Sequence, residues 1–522
     1  MTGSVQNCFQ NCILYTDEKP KSQIEETTRF SPYTRQVFVA VGPLLLTVSS
    51  GMTFGYSAIL IPQLQVAENN TISIDTEQAS WIASIATLPM AVGSVIGGFC
   101  LEKLGRKATH TISCLPIFLG WLLIYLANGI SMVLLGRFIT GLFTGILTTA
   151  TAVYIGETCE PSYRGVLLAG ISFCVALDGE ISRGRIISYG VPQGTVLGPI
   201  LFNIYSNDLF RLNITGLFTS HLLGTFLSWQ NTALVCSLLP LISQIIIYFP
   251  PESATWLAGK ARTEEAEQAF YWYRGASDKA KNELNILLQC RNHQSKESSK
   301  TFKDKINGVL VPEFLKPLGI IAIYIITKQW SGVNAITFYS IHIMQETTGK
   351  GVDEYLSTLI IDLLRLFMSV VACVLLKKIK RRPLAIISGV GTFLPLLILS
   401  FYIYIAKIYP PFCSSYIPLS CLICFIIFAS IGLVPLPSSM LGEVFPLRHR
   451  SKGSGISSFI AFSMFFSVVK CVPSMFESYG PSGTFLIFGL VALFSTLFVI
   501  VFLPETKDRS LHEIEESFKN KK

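Results

Sequence analysis

The chain has 522 residues, of which 50% are hydrophobic and 14% are charged, and its mean hydropathy is +0.51. This composition is too apolar for a soluble globular protein and indicates a polytopic membrane protein. The net charge of +8 does not call for a nucleic-acid partner, because the Lys and Arg residues fall in short loops between apolar runs. The 13 Cys residues are scattered, without the spacing of metal ligands or of a disulfide framework, so we expect no metal site and no cofactor.

Residues 1–36 are polar and lack the apolar core of a signal peptide, which predicts a cytosolic N-tail. Apolar runs then recur at lengths suited to a bilayer core of ~30 Å. They predict membrane-spanning helices near 37–61, 79–101, 108–128, 130–153, 165 onward (interrupted), 231–249, 314–340, 354–376, 383–406, 413–441, 455–476 and 482–503.

The predicted fold class is therefore an all-α membrane protein with twelve spans in two six-helix halves. We divide the chain into an N-terminal half at 37–249, a solvated cytosolic linker at 250–313 with a helix near 263–273, a C-terminal half at 314–503 and a cytosolic C-tail at 504–522. Positive residues cluster in alternate short loops, which places both termini and the linker in the cytosol. Asn69 begins a glycosylation sequon in the first loop on the opposite side, in agreement with this orientation.

The two halves repeat each other at equivalent places. A basic loop follows the second span at 98–107 and the eighth at 376–382, and Glu157 and Arg164 after span four correspond to Glu443 and Arg450 after span ten. A carboxylate at a helix end and an Arg seven residues later can pair across neighbouring helix ends. Duplicated six-span halves with a central site are typical of alternating-access transporters.

Residues 328–340 place polar groups inside the long apolar run that begins at Phe314. Gln329 and Asn334 stand on either side of Gly332, which lets the helix bend and turn both amides toward one cavity. Amides donate and accept hydrogen bonds, as sugar hydroxyls do. The alternative is that these groups only hydrogen-bond neighbouring helices.

Eight motifs together carry a family resemblance over nearly the whole chain. They are G-x-x-x-E-K-x-G-R-K at 98–107, G-R at 136–137, Y-x-G-E-T-x-x-P-x-x-R-G at 154–165, P-E-S at 251–253, Q-W-S-G-V-N at 329–334, P-L-P at 435–437, G-E-V-F-P at 442–446 and P-E-T-K at 504–507. In this order they resemble the sugar porter family of the major facilitator superfamily, and within it the insect facilitated trehalose transporter-like proteins.

The resemblance implies a multi-pass plasma-membrane carrier of a small-molecule sugar, hexose or trehalose, and no enzymatic activity. By this resemblance, Gln329 and Asn334 are expected to hydrogen-bond the hydroxyls of the sugar, and Tyr339 is a further candidate substrate-binding residue. The implied cytosolic ion-pair network, which holds the outward-open state closed below, consists of Arg106, Glu157, Arg164, Arg381, Glu443 and Arg450. Oligomeric state is not implied.

The chain departs from the family's pattern at several positions. Lys328 replaces a second Gln, Ser438 replaces a Trp after P-x-P, and Lys377 and Lys380 replace an acid and a Gly. Span eight carries Asp362 and Arg365 where relatives tend to have a neutral amide near the latter. Intramembrane charges are costly, so we expect these two either to pair or to face a water-filled cavity.

Residues 178–215 interrupt span five, since joining 166–177 to 216–227 gives one uninterrupted span. The segment at 190–209 resembles a palm-domain motif of non-LTR retrotransposon reverse transcriptases, although its isolated acids lack the paired arrangement of a polymerase site. Its six charged side chains predict that the insert leaves the membrane, with span five resuming at Gly216, or that span five fails to form. In either case we expect the chain with the insert to fold poorly and to transport little, and deletion of 178–215 to restore both. Two functions stay open: a facilitative sugar carrier, or an impaired, non-transporting product of a disrupted transporter gene. A glucose-sensor role is a weaker third option. The first span has no acid, which favours facilitated over proton-coupled transport.

Overall fold

The computed structural model describes residues 31–66, 74–159, 197–295, 312–339, 343, 354–409, 416–445 and 450–506, and every long regular element in these ranges is a helix. We number the α-helices in chain order: α1 (Pro32–Val66), α2 (Thr76–Ser84), α3 (Thr87–Lys103), α4 (Arg106–Tyr125), α5 (Ile130–Thr158), α6 (Leu197–Phe226), α7 (Trp229–Tyr248), α8 (Ala254–Gly259), α9 (Thr263–Arg274), α10 (Asp278–Ser295), α11 (Pro312–Gln329), α12 (Val333–Phe338), α13 (Glu354–Lys378), α14 (Arg381–Ile408), α15 (Tyr416–Phe428), α16 (Pro435–Val444) and α17 (Arg450–Phe502). A π-helical turn at Ala429–Leu433 joins α15 to α16.

Nine stretches within the described ranges are long and apolar enough to cross a membrane. The last of them, Gly455–Phe502, contains Gly480 with a φ of 68°, where the backbone leaves the helical conformation. Three helices, α2, α7 and α8, begin at a residue whose side chain caps the helix. Asp75, for example, accepts a hydrogen bond from the Gln78 backbone N–H at 2.7 Å and begins α2 before the predicted span at 79–101.

The helices α1 to α7 form one bundle and α11 to α17 a second. Large apolar side chains remain exposed around both bundles, among them Phe99, Leu115, Ile245 and Phe401. Such a surface would aggregate in water and is suited to the acyl chains of a bilayer. The core between the bundles includes an aromatic cluster in which Phe54 of α1 contacts Phe338 of α12 and Phe465 of α17, with ring centroids 6.3 and 5.5 Å apart.

The described part of the linker, 250–295, contains the helices α8, α9 and α10 and packs against the N-terminal bundle. The predicted helix near 263–273 is α9, and its Phe270 and Tyr273 are buried against Leu257 of α8 and Val39 of α1. Gln36 of α1 donates to the Tyr273 carbonyl at 3.0 Å. The apolar face of α9 therefore packs the linker onto the start of α1, and we call this end of the molecule the linker end.

Span five differs from the sequence prediction. Helix α6 runs without interruption from Leu197 to Phe226, so the prediction that the insert leaves the span before Gly216 is wrong for residues 197–215. Leu212 and Ile214 are buried, and a Cβ on Gly51 of α1 would lie only 2.0 Å from the Asn213 carbonyl oxygen. The last turns of the insert thus pack closely against α1.

The distribution of charge and proline explains this difference. Of the insert's six charged residues, Asp178, Glu180, Arg183 and Arg185 precede Leu197 and lie outside the described residues. The helical part, 197–215, keeps the other two, Asp208 and Arg211, among mainly apolar residues, and its Pro199 falls in the first turn, where proline is tolerated.

Candidate functional site

The predicted substrate stretch begins with a broken helix. Helix α11 ends at Gln329, the chain turns through Trp330, and α12 begins after Gly332. Gly332 has a φ of 87°, in the left-handed region that glycine adopts without strain, and a Cβ there would meet the Phe488 ring at 2.8 Å. The break therefore requires glycine for its backbone conformation and for its close contact with α17.

The break brings the two predicted amide ligands together. Asn334 Nδ2 donates to Gln329 Oε1 at 2.6 Å, and Gln329 Nε2 donates to the Ala461 carbonyl of α17 at 2.8 Å. Their exposed fractions are 8% and 4%. The two amides thus hydrogen-bond each other and the backbone of α17, and these two bonds do not use the Asn334 carbonyl oxygen or the second N–H of either amide.

Tyr339 lies just beyond α12 and bridges to α17. Its hydroxyl donates to the Val469 carbonyl at 3.0 Å, and the residue is 5% exposed. Its oxygen can still accept a hydrogen bond, because a phenol both donates and accepts. The contact holds the end of α12 against α17, and a role for Tyr339 in sugar binding stays a prediction.

Asp362 and Arg365 of α13 pair, as one of the two sequence alternatives predicts. Arg365 Nη1 lies 3.4 Å from Asp362 Oδ1 and donates to Thr337 Oγ1 of α12 at 3.1 Å. Asp362 Oδ2 also contacts His221 Nδ1 of α6, and His221 Nε2 lies 3.0 Å from the Gly55 carbonyl oxygen of α1. Side chains from both halves therefore share one buried carboxylate.

His221 is a site residue that the sequence does not predict. A histidine inside an apolar run is a weak signal on its own. The signal becomes stronger when another predicted span carries an acid, here Asp362, because a carboxylate inside the membrane needs a partner. The pairing also depends on how α6 is placed against α13. The sequence could not predict this placement, because the insert interrupts span five.

Arg137 of the G-R motif joins three helices of the N-terminal half. It is completely buried, and it donates to the Thr53 carbonyl of α1 at 2.8 Å, to the Ile82 carbonyl of α2 at 3.2 Å and to the Ser57 hydroxyl. Each of these three contacts is to a neutral oxygen. These bonds give Arg137 a structural role beside the site.

Two residues of the predicted ion-pair network, Arg106 and Glu157, form an ion pair at the linker end, and the role of the network in holding one state closed stays a prediction. Arg106 Nη2 lies 2.7 Å from Glu157 Oε1, and Glu157 also accepts a hydrogen bond from Ser253. Arg381 Nη1 donates to the Leu376 carbonyl. Arg164 and Asn69 lie outside the described residues, as do the side chains of Glu443 and Arg450.

Two further carboxylates at this end occupy equivalent places in the two halves. Glu252 of the P-E-S motif accepts from the backbone N–H groups of Arg106 and Lys107 at 2.9 and 3.0 Å. Glu505 of P-E-T-K accepts from the backbone N–H groups of Arg381 and Arg382 at 2.9 and 3.1 Å. Each acid caps the helix that follows a basic loop, where an anion is favoured by the helix dipole.

The linker helices are held to α5 by tyrosines. Tyr273 donates to the Pro251 carbonyl, and its hydroxyl lies 3.4 Å from that of Tyr154. Burial raises the pKa of Tyr273 well above its ordinary value, so the phenol keeps its proton and remains a donor.

Residues 37–518 match the protein family described as "Sugar (and other) transporter". The chain belongs to this family. The facilitated trehalose transporter Tret1 of Apis mellifera ligustica is 29% identical over 509 residues, covering 96% of this chain and 92% of the relative. Tret1 of Bombyx mori is 29% identical over 494 residues, covering 94% of this chain and 89% of the relative.

A solved structure extends the comparison to the fold. The inward-open xylose transporter XylE from E. coli superposes with a TM-score of 0.68, covering 93% of this chain and 100% of that chain at 17% identity. At this identity the match shows the shared fold of the family.

Proposed function

We propose that the protein carries a sugar, hexose or trehalose, down its concentration gradient by alternating access. Membership of the transporter family supports transport, and the Tret1 relatives support a sugar substrate. The observation that carries the proposal is the amide pair at the helix break, where Gln329 and Asn334 lie beside α17.

The position of the broken helix suits alternate exposure. Phe338 of α12 packs on Phe54 of the other half, and Asp362 of α13 meets His221 of α6. A site built where the halves meet gains and loses access as they rock. In this mechanism the amides exchange their hydrogen bonds with each other and with the backbone for hydrogen bonds with sugar hydroxyls.

The proposed membrane arrangement has twelve spans. The nine apolar stretches become twelve when Gly455–Phe502 is divided at Gly480 and when α6 and the α11–α12 segment are added. We place the chain in the plasma membrane with both termini and the linker in the cytosol and with Asn69 outside. The loop charges and the sequon support this orientation.

We also propose a retrotransposon origin for 178–215, on the resemblance of 190–209 to a reverse transcriptase. The impaired-product alternative follows from that origin. The continuous helix α6 and its close packing on α1 favour a chain that folds with these residues in place.

One uptake experiment tests the function and the alternative together. The full chain and a variant lacking 178–215 are purified, reconstituted into liposomes and assayed with labelled glucose and trehalose. We expect saturable, downhill uptake by the full chain that protein-free liposomes do not show. Uptake by the deletion variant alone would establish the impaired-product alternative, and uptake by neither would refute the carriage of glucose and trehalose.

A further inference from the structure

Arg365 has a hydrogen-bonding capacity that its structural contacts do not use. It is 6% exposed, and its Nη1 serves both Thr337 and Asp362. Its Nη2 is buried and has no hydrogen-bond partner among the described residues. A buried donor on a charged group without an acceptor costs more than an ordinary lost hydrogen bond.

Asp362 does not supply the missing acceptor. One of its oxygens contacts Arg365 Nη1 and the other contacts His221. The carboxylate is thus divided between two partners on different halves, and its single contact with the guanidinium is not the bidentate arrangement that satisfies both Nη groups. A role in pairing the halves therefore accounts for only part of the Arg365 side chain.

Arg365 also lies close to the predicted substrate amides. Its partner Thr337 follows Asn334 by three residues on α12, which places the two side chains one helical turn apart on the same face. Lys328, immediately before Gln329, is half-buried and has no ion pair within the described ranges. The Arg365 guanidinium and the Asp362 carboxylate thus lie beside the helix that carries Asn334, and Lys328 precedes Gln329 at the end of α11.

We propose that Arg365 binds an anionic oxygen group of the transported molecule, so that the site prefers sugar acids to neutral sugars. The inference rests on the proposed sugar transport and refines its substrate class. A guanidinium matches a carboxylate or phosphate in geometry and charge. The amides of Gln329 and Asn334 bind the hydroxyls, and the Arg365 Nη2 donor binds the oxyanion.

Transport of four labelled substrates by the full chain in liposomes tests this proposal. Glucose and trehalose are neutral, glucuronate carries a carboxylate, and glucose 6-phosphate carries a phosphate, so the last two distinguish the sources of the oxyanion. We expect at least one anionic sugar to be transported with a transport efficiency on the order of tenfold above that of glucose, the ratio that 1.4 kcal/mol of extra binding gives.

Variants assign the preference to Arg365. Arg365→Gln should lower the ratio of acid to neutral sugar transport about tenfold. Arg365→Lys should lower this ratio less, because lysine keeps the positive charge but lacks the planar guanidinium with its paired N–H donors. Arg262→Gln is the matched control, since Arg262 is an exposed linker residue paired with Glu265, and it should leave the ratio unchanged.

Binding provides a readout that does not depend on the variants. Glucuronate or glucose 6-phosphate should raise the unfolding temperature of the purified wild-type chain more than glucose does at equal concentration. Neutral-sugar transport without any such preference would overturn the inference and leave the proposed function standing. An unchanged ratio in Arg365→Gln would assign this residue to structure alone, and absence of all sugar uptake would refute the proposed function itself.

Discussion

At the scale of single residues, the amide pair gives the sharpest test of the site. Asn334→Ala removes the donor that satisfies Gln329 Oε1 and removes one candidate contact to the substrate. A site that hydrogen-bonds hydroxyls loses affinity when one partner is missing, because the others stay buried and unpaired. We expect the half-saturation concentration to rise on the order of tenfold, or uptake to be lost, with unchanged surface expression.

Asn231→Ala is the matched control, because Asn231 is exposed in the first turn of α7. Concentration-dependent uptake is measured for both variants, together with surface labelling. Wild-type kinetics in Asn334→Ala would assign the amides to helix packing.

The same residues show what a sequence can predict. Gln329, Asn334, Asp362 and Arg365 were identifiable because polar groups in hydrocarbon must have partners. Their partners were not identifiable: Ala461 contributes a backbone oxygen, and His221 depends on the register of α6. Sequence therefore located the polar groups, and only the fold showed which acceptors and donors they meet.

At the scale of elements, the break between α11 and α12 depends on Gly332. An alanine there would take a left-handed conformation that costs about 1–2 kcal/mol, and its Cβ would press on Phe488. Gly332→Ala should lower the unfolding temperature of the purified chain. Gly319→Ala is the control, since Gly319 lies inside α11 where an added Cβ would meet no atom within 4 Å, and it should be neutral or slightly stabilising.

Equal unfolding temperatures for Gly332→Ala and Gly319→Ala would contradict the left-handed break. Helix breaks of this kind are predictable in position, because glycine stands between two apolar segments. Their geometry is not, since either a smooth bend or a full turn satisfies the same sequence.

The packing of α6 on α1 is a second prediction at this scale. A side chain on Gly216 would collide with the Val48 carbonyl oxygen, 2.0 Å from the Cβ position. Backbone cannot yield as a flexible side chain does, so Gly216→Val should strongly reduce surface expression and thermal stability. Gly98→Val, on α3 with nothing within 4 Å, should leave both near wild type.

A well-expressed Gly216→Val variant would show that residues near 216 do not lie against α1. The prediction bears on the insert directly, because Gly216 follows the last residue of 178–215. The sequence predicts that span five resumes at Gly216. This prediction fails because of the composition of the residues that immediately precede Gly216. Residues 197–215 contain Asp208 and Arg211 but are otherwise rich in apolar residues, and they continue the helix into 216–226, so the insert supplies part of α6.

At the scale of the whole molecule, the carriage of sugar should be independent of the proton gradient. The first span, 37–61, contains no acid, and Asp362 is 1% exposed with partners on both oxygens. Proton coupling requires a group that exchanges protons with each side in turn as the halves move. Breaking the contacts of Asp362 with His221 and Arg365 in every cycle would leave buried charges unpaired.

We therefore expect an inward proton gradient to leave the final internal concentration of a neutral sugar, glucose or trehalose, equal to the external one in liposomes. A protonophore should leave the initial uptake rate unchanged. Accumulation above the external concentration, abolished by the protonophore, would contradict this prediction and make Asp362 the first residue to replace. Asp362→Asn would then separate proton carriage from hydrogen bonding by this side chain. An amide keeps the side-chain shape and both a donor and an acceptor, but it has no titratable proton.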